Sequence, residues 1–173
     1  IFMQRAAHHI GAPLARYYQD YRVLVEANLA VLNDFHVDIV QAISDPYREA
    51  ADCGLEVEFP DDSLPVNHQP LIVEPEDVAR MQRPEPTTSR RMSDRLAAIR
   101  SFREQVGGEV PIMGWVEGAL AEVCDLHSMS LTMIDLVKRP EWITELLEQC
   151  VEVGIAFARA QIDLGNRQTL ARI

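Results

Sequence analysis

An α/β fold built on a parallel sheet is the class this sequence predicts, on three observations. Short β-branched or apolar runs alternate with helical patterns along the chain. Every connection between those runs is long enough for the crossover helix that parallel strands require. The 173 residues, 47% hydrophobic and 25% charged, have the composition of a soluble globular chain. A doubly wound sheet and a (β/α)₈ barrel both fit this order. A full barrel normally takes about 250 residues, so the roughly three strands counted would amount to its first half.

Ile1-Phe2-Met3 reads as the end of a strand, followed by a polar turn with Gly11 and Pro13. From Tyr17 to Phe35 the spacing predicts one helix with Leu24, Ala27, Val31 and Phe35 on its buried stripe. Asp38 to Ile43 is a β-branched run read as a buried strand. Ser44-Asp45-Pro46 opens a short helix, two capping residues ahead of a proline at the first helical position, and Gly54 ends it. Leu55 to Phe59 alternates like a strand, and the turn-rich stretch Pro60 to Pro70 is a candidate excursion over a site. Glu74-Pro75-Glu76-Asp77 starts a short helix, and Gln82 to Arg90, with Pro84 and Pro86, is a loop. Ser93 caps a helix carrying Leu96, Ile99 and Phe102, and Gly107-Gly108 stops it. Val110 to Trp115 is the next strand. Helices follow near Leu120 to Leu126, over Ser130 to Lys138, and from Glu141, after Pro140, to Leu164.

Sixteen Lys and Arg against 27 Asp and Glu give a net charge of −11. That field repels phosphate backbones and anionic lipid surfaces, so neither nucleic acid nor membrane is expected as a partner, while a local basic pocket for an anionic ligand stays open. Cys53, Cys124 and Cys150 are odd in number, widely spaced and without a Cys-x-x-Cys, so buried apolar cysteines in a cytoplasmic protein are expected. His36, His68 and His127 have no ligand-like spacing, Gly107-Gly108 lacks a phosphate-loop frame, and no metal site is read from the chain.

Asp45 follows a buried run and precedes a proline, so it serves as a helix cap and, through its other oxygen, as a ligand-facing carboxylate. Glu117, just past the third strand, either faces the same mouth or forms a salt bridge at its rim. Trp115 is read as pocket wall or core.

Several segments, taken in order, resemble the uroporphyrinogen decarboxylase superfamily. Phe2 to Ile10 (F-M-Q-R-A-A-H-H-I) is similar to its first strand-loop, Asp38 to Glu49 (D-I-V-Q-A-I-S-D-P-Y-R-E) to its second strand ending in Ser-Asp, and Val110 to Gly118 (V-P-I-M-G-W-V-E-G) to its third strand and turn. Pro140 to Gly165 resembles the helix that follows. The resemblance implies half of a (β/α)₈ barrel over residues 1–165, with 166–173 a junction or truncated tail. A parallel sheet stopped there would leave an unpaired edge, so residues 1–173 alone are expected to aggregate.

The superfamily holds two chemistries, cofactor-free decarboxylation of a tetrapyrrole and methyl transfer between a corrinoid and a zinc-activated thiol. Gln4 and His8 fall where the decarboxylase pattern has two carboxylate-binding arginines, and Arg5 falls where it has Gln. Asp45 matches the Asp that contacts the pyrrole N–H groups, and Asp125 falls at a tyrosine of the pattern. The broken arginine pair favours corrinoid-linked methyl transfer, with Asp45 catalytic and Gln4, Arg5, His8, Trp115 and Glu117 binding substrate. Decarboxylation with altered carboxylate contacts is the alternative, and a non-catalytic binding barrel or remnant a third reading. The implied partners are a tetrapyrrole or a corrinoid, carried free or on a corrinoid protein, and a second copy of the chain in a homodimer. No cofactor is visible in the sequence itself. Cobalamin and zinc enter only with the methyltransferase branch, whose His-x-Cys zinc motif does not occur here.

Overall fold

The structure, a computed structural model, describes residues 3–166. Ile1 and Phe2, and the tail from 167 to 173, lie outside the described residues. Met3–His9 forms a helix, α1, where a strand end and turn were expected. Ala6 and Ala7, both buried, give it a small-residue face that lies against α3 (Tyr21–Phe35). The single helix expected over Tyr17 to Phe35 is two. α2 (Leu14–Gln19) ends at Asp20, whose backbone is extended (φ −125°, ψ 110°) and whose carboxylate accepts the Arg22 N–H at 3.0 Å. A capping residue inside a helical pattern restarted the helix rather than continuing it. Phe35, expected on the buried stripe, is 62% exposed, because the last turn of α3 overruns the core before His36 (φ 52°) ends it.

Among the described residues the sheet has two strands, β1 (Val40–Gln41) and β2 (Ile112–Met113). They are parallel, with Val40 opposite Ile112 and Gln41 opposite Met113. The Leu55 to Phe59 strand is not formed: one antiparallel bridge, Glu58 to Val66, is all that segment makes. Its alternation instead seats Leu55, buried, against the core and leaves Glu56 and Glu58 in solvent. Between the strands run α4 (Arg48–Asp52), a 3-10 turn (Pro75–Arg80) and α5 (Arg90–Val106). After β2 come α6 (Ala119–His127), α7 (Met129–Lys138) and α8 (Pro140–Asn166). α8 runs unbroken through Gly165-Asn166. No helix among the described residues is long and apolar enough to cross a membrane.

α5 begins at Arg90, so Ser93, the expected cap, sits inside it. Its cap arrives from α4: the Asp52 carboxylate accepts the N–H of Arg91 at 2.9 Å and of Met92 at 2.8 Å. That link satisfies orphan N–H groups of α5 and fixes its start beside α4. Gly107 ends it, in a position where a Cβ would collide with the Arg103 carbonyl.

The core is in two main parts. Tyr17, Leu24, Ala27, Val31, Val40 and Phe102 join α2 and α3 to the sheet and α5. Cys53, Leu55, Ile72, Val123, Leu126, Ile143 and Cys150 join α4 to α6 and α8. Below this second part lies a buried polar staple. His127 Nδ1 meets the Ile72 carbonyl at 2.8 Å, and Nε2 meets the Asp135 carboxylate at 3.0 Å. Arg139 closes the other side, giving Asp135 two bonds (2.9 and 2.6 Å), pairing with Glu74 at 2.7 Å and lying over the Trp142 ring at 4.8 Å.

Candidate functional site

The parallel pairing puts the ends of β1 and β2 side by side, so the segments leaving the two strands gather at one place. After β1 come Ser44, Asp45, Arg48 and Glu49, all buried although polar or charged. After β2 come Trp115 and Glu117, both half-buried. α5 supplies Arg91 and Arg95, α6 supplies Glu122 and Asp125, and α2 supplies Tyr18.

Asp45 is the hub. Its Oδ2 pairs with Arg91 Nη2 at 2.5 Å, its Oδ1 accepts the Tyr47 N–H at 3.2 Å, and its backbone carbonyl accepts from Arg48 Nη1. The capping role therefore shrinks to one bond at the turn before α4, while the other oxygen holds an arginine. Arg91 also donates to the Tyr18 carbonyl at 2.9 Å and lies under the Phe59 ring at 4.6 Å. Glu49 Oε1 accepts the Glu117 N–H at 3.1 Å, which ties the turn after β2 to α4. Arg48 Nη2 lies 3.4 Å from Glu49 and 4.0 Å from Glu117.

Trp115 and Glu117 are held from a second side. The Gln161 side chain on α8 accepts the Trp115 N–H and donates to its carbonyl, both at 2.9 Å, as a neighbouring strand would. Gly114 makes room for this: a Cβ there would collide with Gln161 Oε1. The indole N–H of Trp115 then donates to Glu117 at 3.3 Å. A groove of about 710 Å³ follows β2 between α5 and α8, lined by Ile112, Met113, Trp115 and Gln161 among others.

Burial sets the protonation of this end. It raises the Glu122 carboxyl to about 9, with Glu49 and Asp125 adding to the shift. Asp125 is raised to about 7 by burial and by the charges of Glu117, Glu49 and Asp45. Glu49 is raised by burial, against the pull of Arg48. Removing charged forms from water is costly, so crowded carboxyls keep their protons. Burial also lowers Arg95. The Glu122 carboxyl therefore keeps its proton at neutral pH, and that of Asp125 gains and loses one there.

The fold brings Asp45, Trp115 and Glu117 together, but not Gln4, Arg5 and His8. Those three are exposed on α1, and the neighbouring His9 bonds Asp34 at 2.6 Å in the last turn of α3, ahead of β1. Asp45 follows β1, so His9 and Asp45 lie toward opposite ends of the strand. The residues that pattern reading missed are Arg48, Glu49, Arg91, Arg95 and Glu122. One signal was present: Arg91 and Arg95 share the spacing of Ala98 and Phe102, a buried stripe, and so enter the interior with it. Among the described residues no group of three His, Cys, Asp or Glu is placed to hold a metal ion.

Comparison with known proteins gives three findings. The family described as Uroporphyrinogen decarboxylase (URO-D) matches residues 2–168. A methylcobamide:CoM methyltransferase, MtaA, of Methanosarcina barkeri is 36% identical over 70 residues, 40% of this chain and 21% of that protein. A solved methyltransferase from Methanosarcina mazei superposes with a TM-score of 0.83 at 22% identity, covering 94% of this chain and 48% of that one. The chain thus spans about half the length of the solved structure it matches.

Proposed function

The chain belongs to the uroporphyrinogen decarboxylase family, and from that premise we propose that it serves methyl transfer from a corrinoid substrate to a thiol. The observation that carries this reading is the 36% identity over 70 residues with the methylcobamide:CoM methyltransferase. The charge of the site supports it. Arg48, Arg91 and Arg95 are buried and face internal carboxylates, and Glu49, Glu117, Glu122 and Asp125 crowd the same end. A tetrapyrrole with many carboxylates would find these three arginines already turned inward, with the half-buried Arg103 in the groove beside β2. The argument from Gln4 and His8 no longer contributes, because they belong to α1 and not to a strand-end loop.

In the overall change, thiol and methylcorrinoid give a methyl thioether, the demethylated corrinoid and one proton. That proton needs an acceptor, and Asp125, half-buried and raised to about 7, is suited to it. Asp45, fixed by Arg91, orients substrate as a carboxylate. Trp115, clamped by Gln161, forms wall. Zinc activation of the thiol finds no ligand set among the described residues.

Decarboxylation keeps one supporting observation, the buried Ser44-Asp45 at the end of β1. The deciding experiment supplies the whole protein with methylcobalamin and a thiol in one arm and uroporphyrinogen in the other. Loss of the methylcobalamin spectrum with thioether formation is expected. Carbon dioxide release from uroporphyrinogen alone would overturn the reading.

A further inference from the structure

One polar side chain on the buried stripe of α8 has its bonding turned on the chain that leaves β2. Gln161 is buried and follows Phe157, also buried, by one helical turn. A carboxamide carried into the interior costs free energy unless it is bonded, so an apolar residue would ordinarily occupy such a position. Here the carboxamide accepts the Trp115 N–H and donates to the Trp115 carbonyl, both at 2.9 Å. Trp115 lies two residues past the end of β2, where no ladder among the described residues serves its peptide groups. Leucine at 161 would fill similar space and leave both groups orphaned.

Gly114 is fitted to this contact. A Cβ there would collide with Gln161 Oε1, so any larger residue pushes the carboxamide off Trp115. The Gly114 φ is not positive, so the contact uses its missing side chain and not its backbone freedom.

From Trp115 the contact reaches the charged end. The indole N–H donates to Glu117 Oε1 at 3.3 Å, and the Glu117 N–H donates to Glu49 at 3.1 Å. Around Glu117 and Asp125 are gathered Glu49 and Arg48 from α4, Asp45 and Tyr47 from the turn before it, and Glu122 from α6, which the Cys150 thiol faces from α8. Glu49 Oε2, Glu122 Oε1, Asp125 Oδ2, and Nε and Nη2 of Arg48 have no hydrogen-bond partner among the described residues. Burial and then the Glu117 charge raise the Asp125 carboxyl, so where Glu117 is held governs when Asp125 gives up its proton.

We propose that Gln161 is a positioning residue, which takes the place of a strand at Trp115 and so holds the Glu117 carboxylate beside Asp125. Its bearing on turnover rests on the methyl-transfer reading, in which Asp125 takes the thiol proton; the positioning does not.

The test labels the tryptophan indole nitrogens of the whole protein for NMR, with Trp142→Phe identifying the Trp115 resonance. In the wild type that resonance is expected to titrate with a midpoint of about 7, and the Trp115 amide to exchange slowly. Gln161→Leu removes the carboxamide and Gly114→Ala displaces it. Both are expected to speed exchange of the Trp115 amide about 10-fold or more and to move the midpoint toward acid by about 0.5 pH or more, because a like charge has left Asp125. Gln161→Glu keeps an acceptor for the amide and is expected to restore most of its protection. A side chain that only packs would change the melting temperature and leave the midpoint alone. Unchanged amide exchange, an unmoved midpoint in the folded variants, or no titration near 7 in the wild type overturns the proposal. Where Gln161→Leu does not fold, Gly114→Ala decides. No readout here uses turnover, so a whole protein that fails to demethylate methylcobalamin loses the methyl-transfer reading and keeps the positioning.

Discussion

Two buried charged clusters sit a short distance apart in this protein, and they differ in how completely they are paired. Around His127, every ring nitrogen, both Asp135 oxygens and the Arg139 guanidinium have partners within the protein. Around Asp45, atoms of Tyr18, Ser44, Arg48, Glu49, Arg91, Arg95, Glu122 and Asp125 have none among the described residues. A closed network spends its bonding on holding elements together, here Ile72, α6, α7 and the start of α8. An open network at the ends of parallel strands keeps bonding capacity for something else. The first cluster reads as a staple and the second as a site.

The largest expected effect separates them by stability. Asp135→Ala would leave His127 without its carboxylate and Arg139 without its main partner, at a cost of about 3–5 kcal/mol. Arg95→Met in the open cluster leaves only the partly exposed Asp94 without its partner, so a smaller loss of about 1–2 kcal/mol is expected. Chemical denaturation of the whole protein measures both. A small loss for Asp135→Ala would erase the distinction.

Asp45→Asn probes the hub. Asn has one acceptor oxygen where Asp45 uses two, so it accepts from Tyr47 or from Arg91 but not from both, and a stability loss of about 1–3 kcal/mol is expected. Methyl transfer is expected to fall about 10-fold or more, equivalent to about 1.4 kcal/mol of barrier. Turnover near the wild-type rate in a normally folded variant would confine Asp45 to structure.

The pH dependence sharpens the comparison further. Glu122 holds its proton in the folded chain up to about 9 and loses it near the ordinary carboxyl range when unfolded. Between those limits the folded state binds more protons, so stability falls as pH rises, by up to about 1.4 kcal/mol per pH unit. Below the unfolded value the contribution is fully present. Denaturation curves at successive pH values should show this decline, and Glu122→Gln should flatten it. The smallest effect belongs to Tyr18→Phe, which should gain a few tenths of a kcal/mol up to about 1 by removing a buried hydroxyl without a partner. A loss there would mean the hydroxyl is already satisfied.

Much of the order of elements was legible. The stripes of α5 and α8, the glycine stop at Gly107 and the buried run ahead of Asp45 are local signals, and each corresponds to a feature of the fold. The misreadings occurred where a local pattern served two ends. Asp20 is a cap inside a helical period, and Leu55 to Phe59 alternates because one face is covered, not because a strand pairs with it. Met3 to His9 resembled a strand-end loop by residue type, yet the Ala6-Ala7 face needed α3 to show itself as helical packing.

For the site, residue order alone pointed to Asp45, Trp115 and Glu117, because each follows a recognisable strand run at its exit. It also assigned the parallel α/β class, since alternating runs with long connections leave few other arrangements. Only the tertiary structure turned Arg91 and Arg95 inward, placed Glu122 beside Glu49, and built Gln4 and His8 into the helix α1. Local sequence carries period and capping. It does not carry which distant face a charged residue will meet, and burial, pairing and protonation all depend on that meeting.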